Sequence, residues 1–260
     1  IDKKNLEIYF VYYPQNIRIT KEYARKYFEL IKSIHNYSNK QKCNLYAKES
    51  FKSVNQLIDD IENRIGFLLQ NQYQSKINLK DHLLGIINLL DKCKKYVVTQ
   101  KIYSLELFNH ADSGLHNCIL NNNGSLLLSD LEYAGLDSPI KQCIDYLLHP
   151  KNNNNLDINQ IWLDYFINEC IDKRDREYLN IYFSLFGLKW SLILLNEFQP
   201  DIWKIRIHAD PSRVKKHDII MQSQLIKSKI YFKAINKILD NENPAKLFTN
   251  SERLFLSKPY

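Results

Sequence analysis

Residues 6–13 form an almost unbroken run of apolar, aromatic and β-branched positions closed by Pro14, which predicts one strand with no hairpin partner nearby. From Thr20 the spacing turns helical. Tyr23, Tyr27, Phe28, Ile31 and Ile34 share one face, Thr20 stands where an N-cap belongs, and the polar stretch 36–42 ends the helix. A second helix opens at Ser53, with Gln56 completing a capping box, and carries Leu57, Ile58, Ile61, Ile65 and Leu68 along one side. A third is expected over 79–94.

Between 102 and 131 the apolar runs become short. They predict strands at 105–108, 118–120 and 126–128, the last two joined by Asn121-Asn122-Asn123-Gly124, whose Asn-Gly pair tolerates the positive φ of a tight hairpin. Beyond Pro139 helical spacing returns over 141–148, 158–171, 177–196 and 217–239, with Trp162, Tyr165, Phe166 and the run 181–195 read as core. No internal repeat interrupts this order. The expected class is α+β, a mainly helical lobe with a small β-hairpin insert. Chemistry is expected on the insert, because loops held by a rigid scaffold are where functional residues concentrate.

The chain has 260 residues, enough to bury a core without staples, and its 45% hydrophobic content excludes a disordered polypeptide. Its five cysteines (Cys43, Cys93, Cys118, Cys143, Cys170) form no C-x-x-C pair, which fits a reduced, cytoplasmic protein. The net charge of +7 is scattered through the helical segments instead of massed in one basic run, so it argues against a nucleic-acid partner and suits a negative substrate such as a nucleotide. The N-terminal residues show no signal-peptide pattern, and the most apolar stretch, 181–195, is short and interrupted by Lys189. No membrane partner is expected.

The insert carries His110-Ala-Asp112-Ser-Gly-Leu-His-Asn117, and its second strand runs into Ser129-Asp130-Leu-Glu132. A hairpin sets the Asn117 and Asp130 ends of its strands side by side, about one strand spacing apart. An amide oxygen and a carboxylate there suit Mg²⁺, which takes one or two protein oxygens and leaves its other positions to phosphates and water. Asp112, five residues before Asn117, completes the H-x-D-x-x-x-x-N pattern that protein kinases and their relatives use to place a proton-accepting carboxylate.

These residues resemble the catalytic and metal loops of the aminoglycoside phosphotransferase and choline kinase group, which shares the protein kinase fold. The stretches 130–139, 145–150 and 188–198 look like a branch of that group associated with surface-polysaccharide genes. The resemblance implies the helical C-lobe of a kinase-like fold over 15–260, with a catalytic loop at 108–118 and a metal loop at 128–139. It implies Asp112 as catalytic base, Asn117 and Asp130 as Mg²⁺ ligands, and His110 as a brace behind the loop. Asp145 would hydrogen-bond the catalytic loop's backbone, and Glu132 would stand near the metal. The activity implied is transfer of the γ-phosphoryl group of ATP to a hydroxyl of a small polar metabolite, a sugar or sugar derivative among the candidates.

The chain also departs from the family. Its six glycines are isolated and form no phosphate-binding glycine loop. The N-lobe is therefore expected to be largely absent from this chain, with 1–14 as a hinge strand or remnant. That departure keeps a pseudokinase or binding module without turnover as the alternative. His116 is read as a loop histidine with a substrate contact as the sharper option, His149 as the neighbour of a helix end before Pro150, and Asp137 as cap or cleft acid. Family analogy places Trp190 and Glu197 at a substrate cleft.

Overall fold

The computed structural model describes residues 20–38, 45–70, 77–97, 102–121, 123–152, 156–239 and 243–258. The strand expected at 6–13, the hinge assigned to 1–14, and Cys43 lie outside them.

Helix α1 (Lys21–Ser38) begins where Thr20 predicts, its hydroxyl accepting from the Tyr23 N–H at 3.3 Å. Ala24, Tyr27 and Ile31 are buried beneath it. Helix α2 (Val54–Gln70) opens with the Gln56 N–H bonded to the Ser53 hydroxyl at 3.2 Å, so the serine half of the capping box forms, and it buries the predicted stripe from Leu57 to Leu68. Helix α3 (Lys80–Tyr96) follows. A stack of Tyr27, Tyr146 and Trp162, with ring centroids 3.9 to 6.0 Å apart, ties α1 to α4 (Pro139–Leu148) and α5 (Leu156–Tyr165). Buried aromatic pairs of this kind add attraction beyond the area they remove from water.

The expected helix 158–171 ends as α at Tyr165 and widens into a π turn over Phe166–Cys170, closed by the Ile171 N–H on the Phe166 carbonyl at 2.8 Å. The expected helix 177–196 is divided. A short α6 (Lys173–Arg176) precedes α7 (Leu179–Ile193), and a 3₁₀ turn over Asn196–Phe198 ends the segment. Helix α7 is buried almost all round and packs against α2, α3, α4 and the long α9 (His217–Leu239), which explains why its sequence is apolar on every side. Helices α8 (Pro200–Ala209) and α10 (Asn250–Ser257) escape periodicity reading. In α8 Trp203 alone is buried, so no stripe marks it.

The hairpin forms at the predicted residues. β2 (Cys118–Leu120) pairs antiparallel with β3 (Leu126–Leu128) in the register Cys118↔Leu128 and Leu120↔Leu126. Its loop closes by the Gly124 N–H on the Asn121 carbonyl at 2.8 Å, with Gly124 at φ +79°, the left-handed position a three-residue hairpin loop requires. The strand expected at 105–108 is β1 (Leu107–Asn109), and its partner is the unpredicted β4 (Gly135–Asp137). The segment 45–48 lies on β4, with the Leu136 N–H bonded to the Leu45 carbonyl at 2.7 Å. The architecture is thus α+β, a helical lobe with two small two-stranded ladders among the described residues. Among the described residues no helix is long and apolar enough to cross a membrane.

Candidate active site

The loop between β1 and β2 is held from several directions. His110, fully buried, spans the carbonyl oxygens of Asp112 (Nδ1, 2.9 Å) and Ser129 (Nε2, 2.6 Å), so it stitches the two expected loops together from behind. Asn109 accepts from the Ala111 N–H at 2.9 Å, turning the chain through φ +71° at Ala111 so that the next residue, Asp112, faces outward. Gly114 lies against Asn152, in the turn that follows α4. A Cβ there would stand 2.1 Å from Asn152 Oδ1 and 2.7 Å from His116 Nδ1, so only glycine lets the loop approach this closely.

Asp112 is half-exposed and collects hydrogen bonds. The Asn117 amide donates to its carboxylate Oδ2 at 2.8 Å and to its carbonyl oxygen at 2.9 Å. The Nε2 atoms of His116 and His149 stand 3.2 and 3.1 Å from Oδ1. Burial alone would raise the Asp112 carboxyl, but the hydrogen bonds from His116 and His149 outweigh it and hold the group well below the usual carboxylate range. At neutral pH it is an anion.

Because both hydrogens of the Asn117 amide point to Asp112, its Oδ1 is the oxygen left for another ligand. Asp130 is exposed, adopts φ +58°, and pairs with no cation among the described residues. The Ser129 N–H donates to the Asn117 carbonyl at 2.9 Å, so the two chain segments run alongside each other at this end of the hairpin. An amide oxygen and a free carboxylate are hard donors, the set that fits Mg²⁺. The trio Asp112, His116 and His149 also offers ligand atoms within 4.8 Å of one another. Hydrogen bonding opposes a metal there, because the Lys151 N–H donates to His149 Nδ1 at 3.2 Å and leaves the proton of the neutral ring on Nε2.

A cavity of about 330 Å³ opens beside the carboxylate, lined among others by Asp112, Tyr133, Lys141, Asp145, Lys189 and Trp190. Two of its lysines, the buried Lys141 and the largely covered Lys189, are already neutralised. Lys141 lies 3.0 Å from Asp137 and 3.4 Å from Asp145, while Lys189 lies 2.9 Å from Asp60 and 3.3 Å from Glu49. Burial pulls the Lys141 ammonium down, but the two carboxylates prevail and hold it up at about 12. The cavity therefore offers aromatic walls with fixed polar groups, suited to a small ligand carrying several hydroxyls or amines.

No family model matches the chain, and no curated protein matches it in sequence. In three dimensions it is similar to the choline kinase LicA from Streptococcus pneumoniae, with 14% identity and a TM-score of 0.50 over 86% of this chain and 69% of that one. It is likewise similar to a choline/ethanolamine kinase family protein from Mesorhizobium loti, with 13% identity and a TM-score of 0.50 over 88% and 67% of the two chains. The chain has a choline kinase-like fold. The expectation of an α+β, mainly helical lobe of the protein-kinase type is met.

Within this choline kinase-like fold, several supporting residues stand elsewhere than expected. Among the described residues Asp145 makes no bond to the backbone of the 108–118 loop. It accepts from the Trp190 indole at 2.9 Å and pairs with Lys141, because α4 turns it toward the cavity. Asp137 is neither helix cap nor cleft acid: fully buried, it accepts from the Phe51 N–H at 2.7 Å, the Asn109 amide at 3.2 Å and Lys141, joining three segments under the site. Trp190 does line the cavity, whereas Glu197 is buried against Arg213 at 2.9 Å. Glu132 is exposed. His149 and Lys189 take their place at the site from contacts with distant residues, Asp112 for the histidine and Glu49 and Asp60 for the lysine, which periodicity does not encode, whereas the signal for Lys141 was present as its i,i+4 spacing from Asp137 and Asp145.

Proposed function

We propose that this protein is an ATP-dependent phosphotransferase that moves the γ-phosphoryl group to an alcohol hydroxyl of a small polar metabolite, with a sugar or sugar derivative among the candidates. The observation that carries the reading is an ionised Asp112, locked by Asn117 at the mouth of a cavity of metabolite size, on a choline kinase-like fold. Asp112 accepts the hydrogen bond, and finally the proton, of the attacking hydroxyl. With its basicity so reduced, its main contribution is to aim the hydroxyl oxygen, which suits a loose transition state in which the proton leaves late. Asn117, through Oδ1, and Asp130 would hold Mg²⁺. Bound there, the ion supplies neutralisation of the phosphate charge. The four free cysteines among the described residues (Cys93, Cys118, Cys143, Cys170) fit work in the reducing, ATP-rich cytoplasm.

The test is ADP release by the full chain with ATP, Mg²⁺ and a panel of sugars and amino alcohols. Asp112→Asn is expected to lower turnover by about 10²- to 10⁴-fold, the range for loss of a positioned proton acceptor. An unchanged rate would remove Asp112 from this role. A binding module without turnover is the second reading, favoured by the lack of a glycine-rich phosphate loop in the sequence. It requires thermal stabilisation by ATP with Mg²⁺ and no ADP formed with any acceptor.

A further inference from the structure

His116 and His149 come from separate elements, the 3₁₀ turn Leu115–Asn117 and the end of α4, yet their rings stack with centroids 4.2 Å apart and planes 10° from parallel. Both direct Nε2 at one oxygen of one carboxylate, Asp112 Oδ1, at 3.2 and 3.1 Å. A carboxylate oxygen accepts about two hydrogen bonds, so Oδ1 is saturated. Oδ2 receives the Asn117 amide at 2.8 Å and keeps one acceptor direction open. Each ring is itself held. His149 Nδ1 accepts from the Lys151 N–H at 3.2 Å, and the Trp190 indole meets its face edge-on at 5.2 Å while anchored to Asp145. His116 is packed beneath Gly114, with a side chain only 10% exposed.

We propose that His116 and His149 are positioning residues for phosphoryl transfer: together they saturate Asp112 Oδ1 and leave the open lone pair of Oδ2 as the single place where the acceptor hydroxyl can dock. The inference rests on Asp112 being the catalytic carboxylate. Without the pair, the carboxylate could rotate about its Cβ–Cγ bond and offer either oxygen, in several directions, to the hydroxyl. The Trp190 wall extends the same device, because the residue that sets one edge of the cavity also steadies His149. A flat ring that lacks the N–H therefore spoils the aim without emptying the space.

The experiment compares His116→Phe and His149→Phe with His116→Gln and His149→Gln. Phe keeps a flat ring, whereas Gln restores an N–H near the position of Nε2. With ATP and Mg²⁺ and the best hydroxyl acceptor, or water where none is found, each Phe variant is expected to lose roughly 10- to 100-fold in kcat, the range for partners that orient a reacting group. With a hydroxyl substrate its KM should stay within about twofold, and with either acceptor the Gln variants should recover most of the loss in kcat. Phe variants at wild-type kcat, or Gln variants as slow as Phe at equal melting temperature, overturn the proposal. Asp112→Asn run in parallel separates the two readings: if it is fully active, the catalytic assignment fails, and if it is inactive while the Phe variants are fast, the positioning role alone fails. A readout independent of turnover is ¹⁵N NMR of the histidine rings, with the Gln variants as assignments. Both rings should carry their proton on Nε2 and shift in Asp112→Asn. A bare Nε2 on either ring overturns the proposal.

Discussion

Asn117 places both hydrogens of its side-chain amide on Asp112, one on the carboxylate at 2.8 Å and one on the carbonyl oxygen at 2.9 Å. One side chain thereby fixes both the loop's backbone and the orientation of its carboxylate, and its own Oδ1 is left facing away. Asn117→Asp keeps the volume but replaces the donor by a second anion. It is expected to cost about 1–3 kcal/mol at neutral pH, read from urea unfolding. Wild-type stability in that variant would show that the amide does not hold the loop.

Asp130 is exposed and unpaired among the described residues, with a left-handed backbone that Asn tolerates well. Asp130→Asn should therefore leave the metal-free melting temperature within about a degree while raising the Mg²⁺ concentration for half-maximal activity about tenfold or more, since one charged ligand is lost. Titrating Mg²⁺ at fixed ATP checks it, and an unchanged midpoint would place the ion elsewhere.

Gly114 faces Asn152 and His116 with no room for a methyl group. Asn152 is itself committed, donating to the Ser113 carbonyl at 2.9 Å and the Tyr146 carbonyl at 3.0 Å, so it cannot move aside cheaply. Gly114→Ala is expected to destabilise by about 1–3 kcal/mol, the usual cost of overpacking, and to lower turnover more than that of any surface alanine. Calorimetry together with ADP release provides the check.

His82 on α3 is buried and hydrogen-bonded to the Ser228 hydroxyl at 2.7 Å, which in turn is joined to Ser191 on α7. Burial, with a smaller contribution from Lys229, lowers its pKa from 6.5 to about 4. The folded state therefore resists protonation that the unfolded chain accepts, so stability is full above pH 6.5 and falls as pH drops from 6.5 toward 4. Across that window the loss attributable to His82 approaches about 3 kcal/mol. His82→Gln should flatten the curve of unfolding free energy against pH by that amount, and an identical slope in both proteins would show that the imidazole titrates freely.

The clearest part of the sequence was local. The hairpin Cys118–Leu120 with Leu126–Leu128 and the helix His217–Leu239 stand at their predicted ends, because turn chemistry and a 3.6-residue stripe act within a few residues of chain. The π turn after Tyr165 and the break before α7 were not legible, since each satisfies a packing demand, as in the complete burial of Phe166. β4 was hidden for a similar reason. Three residues carry no alternation, and Gly135–Asp137 becomes a strand only because β1 and the 45–48 segment lie on either side of it.

The same division runs through the candidate site. By itself the sequence determined the order Asp112, Asn117, Asp130 and the hairpin whose adjacent strand ends the last two flank, since all are consequences of short-range spacing. Only the tertiary structure decided what surrounds the carboxylate: His149 arriving from the end of α4, Trp190 and Lys189 from α7, and Asp137 joining β1, α4 and Phe51 beneath. The physical reason is that hydrogen bonds and ion pairs between distant elements are selected by how whole helices pack, and no local period in the chain records that choice.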